Sequence, residues 1–271
     1  MVYERSPAYR PGQKEPYPLS RSKIDLFMQC PRCFWLEVRE KIKRPSGPPF
    51  SINNAIDLLL KKEFDSHRKT QTKHPLFIEY ELDVLPFQHE KMDEWRDALR
   101  RGVKFLHPET NLLLRGGIDD AWVDPSGTIY VVDYKATAKV SEVSLDADWQ
   151  NTYKRQMEIY QWLLRQNGFN VSDTGYFVYT NGRLDLDGFN DRVEFMTKII
   201  PYTGDDGWVD GAIVKMKKCM DGGLPKVGNQ VMNPNEPCEY CSYAEQRAGL
   251  TLDHMDRNKI SAKDALKKLR R

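Results

Sequence analysis

The sequence predicts a mixed α/β domain in which helices cover a sheet, and three observations predict it. Two β-rich runs, 112–123 and 128–136, are separated by Asp124-Pro125-Ser126-Gly127, a strong turn signal, and read as an antiparallel hairpin. Trp149, Tyr153, Met157, Tyr160 and Leu164 recur at intervals of four or three, the period of an amphipathic helix. The coarse order is helices, hairpin, helix, further strands, helix and a cysteine-bearing end, which is not the regular alternation of a doubly wound parallel sheet.

Each element has a local reason. Residues 19–40 read as a helix that Ser22 and Asp25 cap, with Pro31 splitting or kinking it between Cys30 and Cys33. After a proline-rich connection, Ile52, Ala55, Ile56, Leu59, Leu60 and Phe64 mark a second helix, and Asp57 lies beside their stripe. Residues 65–110 are polar; 93–101 reads as a short helix. His67, His74, His89 and His107 share no metal-like spacing and read as surface residues. Gly168 closes the helix of the Trp149 stripe. Runs 175–180 and 193–200 read as strands joined by an Asn181-Gly182 turn, and 205–220 as a helix.

At 271 residues, 40% hydrophobic and 30% charged with net charge +2, the chain has the composition of an ordinary globular protein able to bury a sizeable core. No apolar run approaches the ~18 residues of a membrane span, and the proline- and charge-rich start lacks a signal core, so a cytoplasmic protein is expected. Four of the five cysteines form two C-x-x-C pairs, Cys30/Cys33 and Cys238/Cys241, which point to metal or redox chemistry rather than disulfides; Cys219 reads as an ordinary helix residue.

Strand periodicity puts Asp133 and Lys135 on one face with Ile129 and Val131, and Tyr130, Val132 and Tyr134 on the other. An acid and a lysine at the end of an apolar strand need partners, and Asp119 on the neighbouring strand is the candidate to converge on them. Two carboxylates with the Tyr134 backbone carbonyl make a site for Mg²⁺ or Mn²⁺, suited to phosphodiester hydrolysis. Lys135 is placed to orient or deprotonate a water, and a nearby cation disfavours its charged form. Asp-x-Lys alone is better read as a simple ion pair at a strand end, with Asp119 a turn residue.

The chain resembles the PD-(D/E)XK nuclease superfamily, and within it the RecB-like branch of CRISPR-associated and AddB-type iron–sulfur nucleases. The resemblance is carried in order by residues 19–24 (LSRSKI), Cys30-Pro31-Arg32, Gly116-Gly117-Ile118-Asp119, Val132-Asp133-Tyr134-Lys135-Ala136, Gln156-x-x-x-Tyr160 and Cys238-x-x-Cys241-x-Tyr243. It implies a restriction-endonuclease-like mixed β-sheet core flanked by helices, with a cysteine-clamped helical lobe. It also implies Asp119 and Asp133 as metal ligands, Lys135 as catalytic lysine, and Gln156 and Tyr160 beside the active site. Where the branch often has a metal-binding histidine, this chain has Asp57, either a third ligand or a surface residue. Asp120 replaces Asp119 if the strand register shifts by one.

The branch's iron–sulfur members bind their cluster with one N-terminal and three C-terminal cysteines. Cys30, Cys238 and Cys241 match, Arg247 stands at the last position, and Cys33 supplies the fourth thiolate. The resemblance implies a structural 4Fe–4S cluster, with Zn²⁺ as the alternative for a four-thiolate set. The implied layout is an extended arm over 1–18, a nuclease domain over 19–250 and a basic tail over 251–271. Within the domain, a helical and cysteine lobe (19–65 with 205–250) flanks a core at about 110–204. The expected activity is metal-dependent DNA cleavage, exonuclease action on single-stranded or end-containing DNA included, with helicase or repair and defence proteins as partners. Lys23, Arg32, Lys154 and Arg155 are candidate phosphate contacts, and Trp149 and Tyr153 can stack bases or pack in the core. The alternatives are an inactive nucleic-acid-binding scaffold that keeps the cysteine metal site and a zinc-binding interaction module.

Overall fold

The structure, a computed structural model, describes residues 7–47, 51–229, 235–261 and 263. Residues 1–6 of the expected arm and 264–271 of the expected tail lie outside the described residues. The chain opens with β1 (Tyr17–Ser20), α1 (Arg21–Gln29), α2 (Pro31–Arg39), α3 (Ser51–Thr70) and α4 (Pro75–Glu79). It continues with β2 (Leu85–Pro86), α5 (Met92–Arg96), β3 (Val103–His107), β4 (Leu112–Gly116), β5 (Asp120–Val123) and β6 (Ile129–Thr137). The last elements are α6 (Asn151–Gln166), β7 (Thr174–Gly182), β8 (Phe195–Thr203), α7 (Val209–Asp221) and α8 (Glu239–Arg257).

These strands form two mixed sheets flanked by helices. The larger has the order β2-β5-β6-β7-β8, antiparallel except for the β6–β7 pair. That parallel pair needs a crossover, which α6 makes. The smaller sheet is β1-β4-β3, with β1 parallel and β3 antiparallel to β4. The two faces of β6 feed different cores, as its period of two requires. Ile129 and Val131 pack with Met157, Leu163 and Phe177 on the α6 side. Val132 and Tyr134 pack with Leu60, Phe64 and Trp122 on the α3 side. Each such fully buried large side chain contributes roughly 1.5–3 kcal/mol.

Several expectations are corrected. The 112–136 hairpin is really β5–β6, joined through the Asp124 turn, whose Oδ1 accepts the N–H groups of Ser126 and Thr128. The first half of the run 112–123 is β4, in the other sheet, because the chain breaks between Gly116 and Asp119. A Cβ on Gly116 would lie 2.7 Å from the Tyr160 ring, so only glycine lets that ring close on β4. Residues 19 and 20 belong to β1, not to the helix; Ser20 is the N-cap without a side-chain hydrogen bond, and Asp25 pairs with Gln29 and Arg155 instead of capping. Pro31 does split the segment, with Cys30 extended between α1 and α2. Asn181-Gly182 is not a turn: both residues end β7, opposite Met196 and Phe195, and the reversal falls at 183–194. His74 and His107 are buried, not surface residues, each held by a side-chain partner: Glu63 for His74 and Thr110 for His107.

The arm packs where it is described: Tyr9 is buried, its N–H bonds Val38 O and its hydroxyl donates to Asp221. At the other end α8 runs without a break from the second cysteine pair past residue 251. Among the described residues no helix is long and apolar enough to cross a membrane.

Candidate metal and nuclease site

Strand β5 begins at Asp120, opposite Val132, so the β6 edge beyond that point has no strand beside it. Asp119 fills the gap. Its Oδ2 accepts the N–H of Tyr134 at 3.0 Å, and the Tyr134 carbonyl projects from the same edge by strand geometry. Helix α3 crosses this end of the strand, fixed by Asn53, whose amide donates to Ala136 O at 2.8 Å. One turn on, Asp57 faces the same cleft of about 320 Å³, which Asp119, Tyr134, Lys135 and Tyr153 also line.

Asp133 lies beneath, fully buried on the α6 face of β6. Its Oδ1 accepts from Gln156 Nε2 at 2.6 Å, and the same amide reaches the Tyr160 hydroxyl at 3.3 Å. Spacing of four places Gln156 and Tyr160 on one face of α6. Asp133 Oδ2 contacts the Lys135 ammonium as an ion pair. Lys135 Nζ also stands 4.6 Å from the centre of the Tyr153 ring, a cation–π contact.

The electrostatics follow from crowding acids in a dry place. Burial pushes the Asp133 carboxyl up to about 7, against the pull of Lys135 and with the help of Asp119. Burial and then the Asp119 carboxylate raise Asp57 in the same way. Burial opposes the charge of Lys135, but Asp133 and Asp119 outweigh it and hold its pKa above that of a free lysine. Lys61, which the sequence reading did not single out, behaves likewise. Its ammonium donates to Asp57 at 2.9 Å and reaches Asp119 at 3.4 Å, bridging the two acids. Its spacing of four from Asp57 on α3 was the available signal. Arg21, also missed, stands 5.8 Å from the Tyr160 ring centre.

The structure brings Asp57, Asp119, Asp133, Tyr134, Lys135, Gln156 and Tyr160 together at one end of β6. Asp120 points away. It is fully buried, paired with Arg68 and Arg96, and accepts the Tyr134 hydroxyl at 2.6 Å. The candidate phosphate contacts are mostly engaged: Lys23 with Glu37, Arg155 with Asp25, and Arg32 with Glu245 and Pro225 O. Lys154 lies 6.0 Å from the Tyr202 ring centre, and Trp149 and Tyr153 pack edge to face at 5.3 Å.

The second constellation is the four cysteines. Cys30, Cys33, Cys238 and Cys241 are all buried, and their sulfurs lie within 4.8 Å of one another, a group able to bind a metal. Cys219 stands apart on α7, half-buried.

A sequence model of the PD-(D/E)XK nuclease superfamily matches residues 18–246, from β1 into α8. Comparison with curated proteins gives no match.

Proposed function

We propose, for a chain that belongs to the PD-(D/E)XK nuclease superfamily, Mg²⁺- or Mn²⁺-dependent hydrolysis of DNA phosphodiester bonds, on single-stranded or end-containing DNA. Nucleases of this superfamily use divalent metals, and the residues at the end of β6 fit that requirement. The observation that carries the reading is the cleft at the end of β6, where Asp57, Asp119 and Tyr134 converge above Asp133 and its ion-pair neighbour Lys135. Carboxylates crowded in so dry a place are costly without cations beside them. The donors around it are hard oxygens: the carboxylates of Asp57, Asp119 and Asp133 and the carbonyl of Tyr134.

A divalent ion held by these donors supplies Lewis-acid stabilisation of the charge that develops on the phosphate. The chain's own groups do the rest. Gln156 holds Oδ1 of Asp133, which leaves Oδ2 to Lys135. The Tyr134 N–H fixes the rotamer of Asp119. Lys135 brings a positive charge to the face of Asp133, where it orients the attacking water and offsets charge on the phosphate. Tyr160 receives the second hydrogen of the Gln156 amide and keeps that side chain in register.

The test is cleavage of labelled single- and double-stranded DNA with and without Mg²⁺ or Mn²⁺, by wild type, Asp133→Ala and Lys135→Ala. Metal-dependent cleavage lost in both variants is the expected result. A second reading, an inactive nucleic-acid-binding scaffold, draws on Lys61, whose ammonium already neutralises Asp57 and Asp119. Wild type that binds DNA and cuts neither substrate would establish the scaffold reading and overturn the first.

A further inference from the structure

The resemblance to iron–sulfur nucleases implies a 4Fe–4S cluster on Cys30, Cys33, Cys238 and Cys241, and the spacing of the sulfurs disagrees with it. Cys33 Sγ lies 3.5 Å from Cys241 Sγ and 3.6 Å from Cys238 Sγ, and Cys30 Sγ lies 3.8 Å from Cys241 Sγ. All four fall within 4.8 Å of one another. An ion bonded to four thiolates at ~2.3 Å sits in a tetrahedron whose sulfurs are about 3.8 Å apart. In a four-iron cluster each cysteine bonds a different corner of an iron–sulfide cube, so the cube itself must fit between them. Three of the sulfur pairs here lie at 3.5–3.8 Å and none exceeds 4.8 Å, which leaves no such space.

The backbone around the sulfurs is equally tight. Cys30 Sγ accepts the N–H groups of Cys33 at 3.4 Å and Gly228 at 3.3 Å. A Cβ on Gly228 would lie 2.5 Å from Cys30 Cα, so this segment is pressed against the first pair and glycine alone fits. The N–H of Cys238 then bonds Gly228 O at 2.7 Å, which ties the second pair to the same segment. Arg44 donates to Cys238 Sγ at 3.4 Å and offsets part of the thiolate charge. Hydrogen bonds of this kind are the supporting shell that orients ligands and tunes a metal site.

We propose that the four cysteines hold a single tetrahedral zinc ion rather than a 4Fe–4S cluster. Zinc has no redox chemistry and favours a closed four-thiolate shell. Its role is a clamp: it ties the α1–α2 junction to the start of α8, and α1 carries Arg21 to the Tyr160 ring beside the acidic site. The proposal stands apart from the phosphodiester reading, because metal content and cleavage are measured separately.

The test is metal and acid-labile sulfide analysis of the full chain, expressed with both iron and zinc supplied and purified without oxygen. One zinc per chain, retained in Asp133→Ala and lost in Cys33→Ser, is the expected result. Should Cys33→Ser fail to fold, Co²⁺ exchanged into the wild type serves instead: it gives the intense thiolate-to-cobalt charge transfer and visible bands of a tetrahedral four-sulfur site. Iron in any stoichiometric ratio, above all with sulfide and absorbance near about 400 nm, overturns the proposal. So does zinc that leaves with Asp133→Ala, or cobalt without thiolate charge transfer.

Discussion

The amide of Gln156 donates to Oδ1 of Asp133 at 2.6 Å, across the interface between α6 and the end of β6. This bond satisfies one oxygen of a fully buried carboxylate and leaves the other for Lys135 and a cation. Gln156→Met keeps the side-chain length and removes the donor. The buried acceptor it strands should lower stability by about 1–3 kcal/mol. Metal affinity should fall as well, because Asp133 is free to rotate. Chemical denaturation with Mn²⁺ titration by calorimetry checks both. Unchanged Mn²⁺ binding in a destabilised variant would mean that Gln156 only packs.

Asp119 and Asp120 are neighbours in sequence with opposite tasks. Asp120 is buried against Arg68, Arg96 and the Tyr134 hydroxyl, so Asp120→Ala leaves two guanidinium groups without their shared anion and should destabilise by about 3–5 kcal/mol. Asp119 is partly exposed and holds the Tyr134 N–H and Lys61. Asp119→Asn should change stability by less than about 1 kcal/mol while abolishing metal-dependent cleavage. Urea midpoints and cleavage rates for the pair separate the two roles, and a reversed pattern would put the catalytic acid at Asp120.

The contrast shows what was readable from the chain alone. Strand alternation assigned the two faces of β6, since Ile129, Val131 and Asp133 must share a side whatever surrounds them. The choice between Asp119 and Asp120 was not local: it depends on Arg68 in α3 and Arg96 in α5 meeting one acid and not the other. The break after Gly116 was equally hidden, because the close approach of Tyr160 and Leu163 to Gly116 and of Ala98 to Gly117 is made only in the fold. Asn181-Gly182 carried a genuine turn preference, which pairing with β8 and a side-chain bridge from Asn181 to Lys139 overrode. The cysteine pairs were plain in the sequence, whereas the distance between their sulfurs, which argues for the ion, is a property of the fold.

Lys61 places an ammonium where Asp57 and Asp119 converge, so a divalent cation binding there competes with it. Lys61→Met removes the competitor and leaves the two carboxylates facing each other. Without metal the variant should be less stable than wild type, since like charges are then unscreened. With Mn²⁺ it should bind about tenfold tighter, a gain of ~1.4 kcal/mol. Thermal denaturation across a Mn²⁺ series reads both signs. Weaker Mn²⁺ binding would instead make Lys61 a support that holds the acids in place.

His74 caps α4 and is buried against Phe64, and its protonation state is set by its neighbours. Nδ1 accepts the N–H of Leu76 at 3.1 Å, so the ring proton sits on Nε2, which donates to Glu63 at 3.0 Å. A second proton on Nδ1 would meet the Leu76 N–H head on. Burial lowers the pKa below the ordinary 6.5; Glu63 opposes the shift and His67 adds to it. A native value below the unfolded one means that the stability His74 contributes is whole above 6.5 and is lost as pH falls through the native value. His74→Asn keeps a cap acceptor and has nothing to titrate there. The wild type should therefore lose more stability than His74→Asn between about pH 7.5 and about pH 5.5, the span around a free imidazole. Urea denaturation of both proteins across that span checks it, and equal losses would show that His74 titrates alike in the folded and unfolded protein.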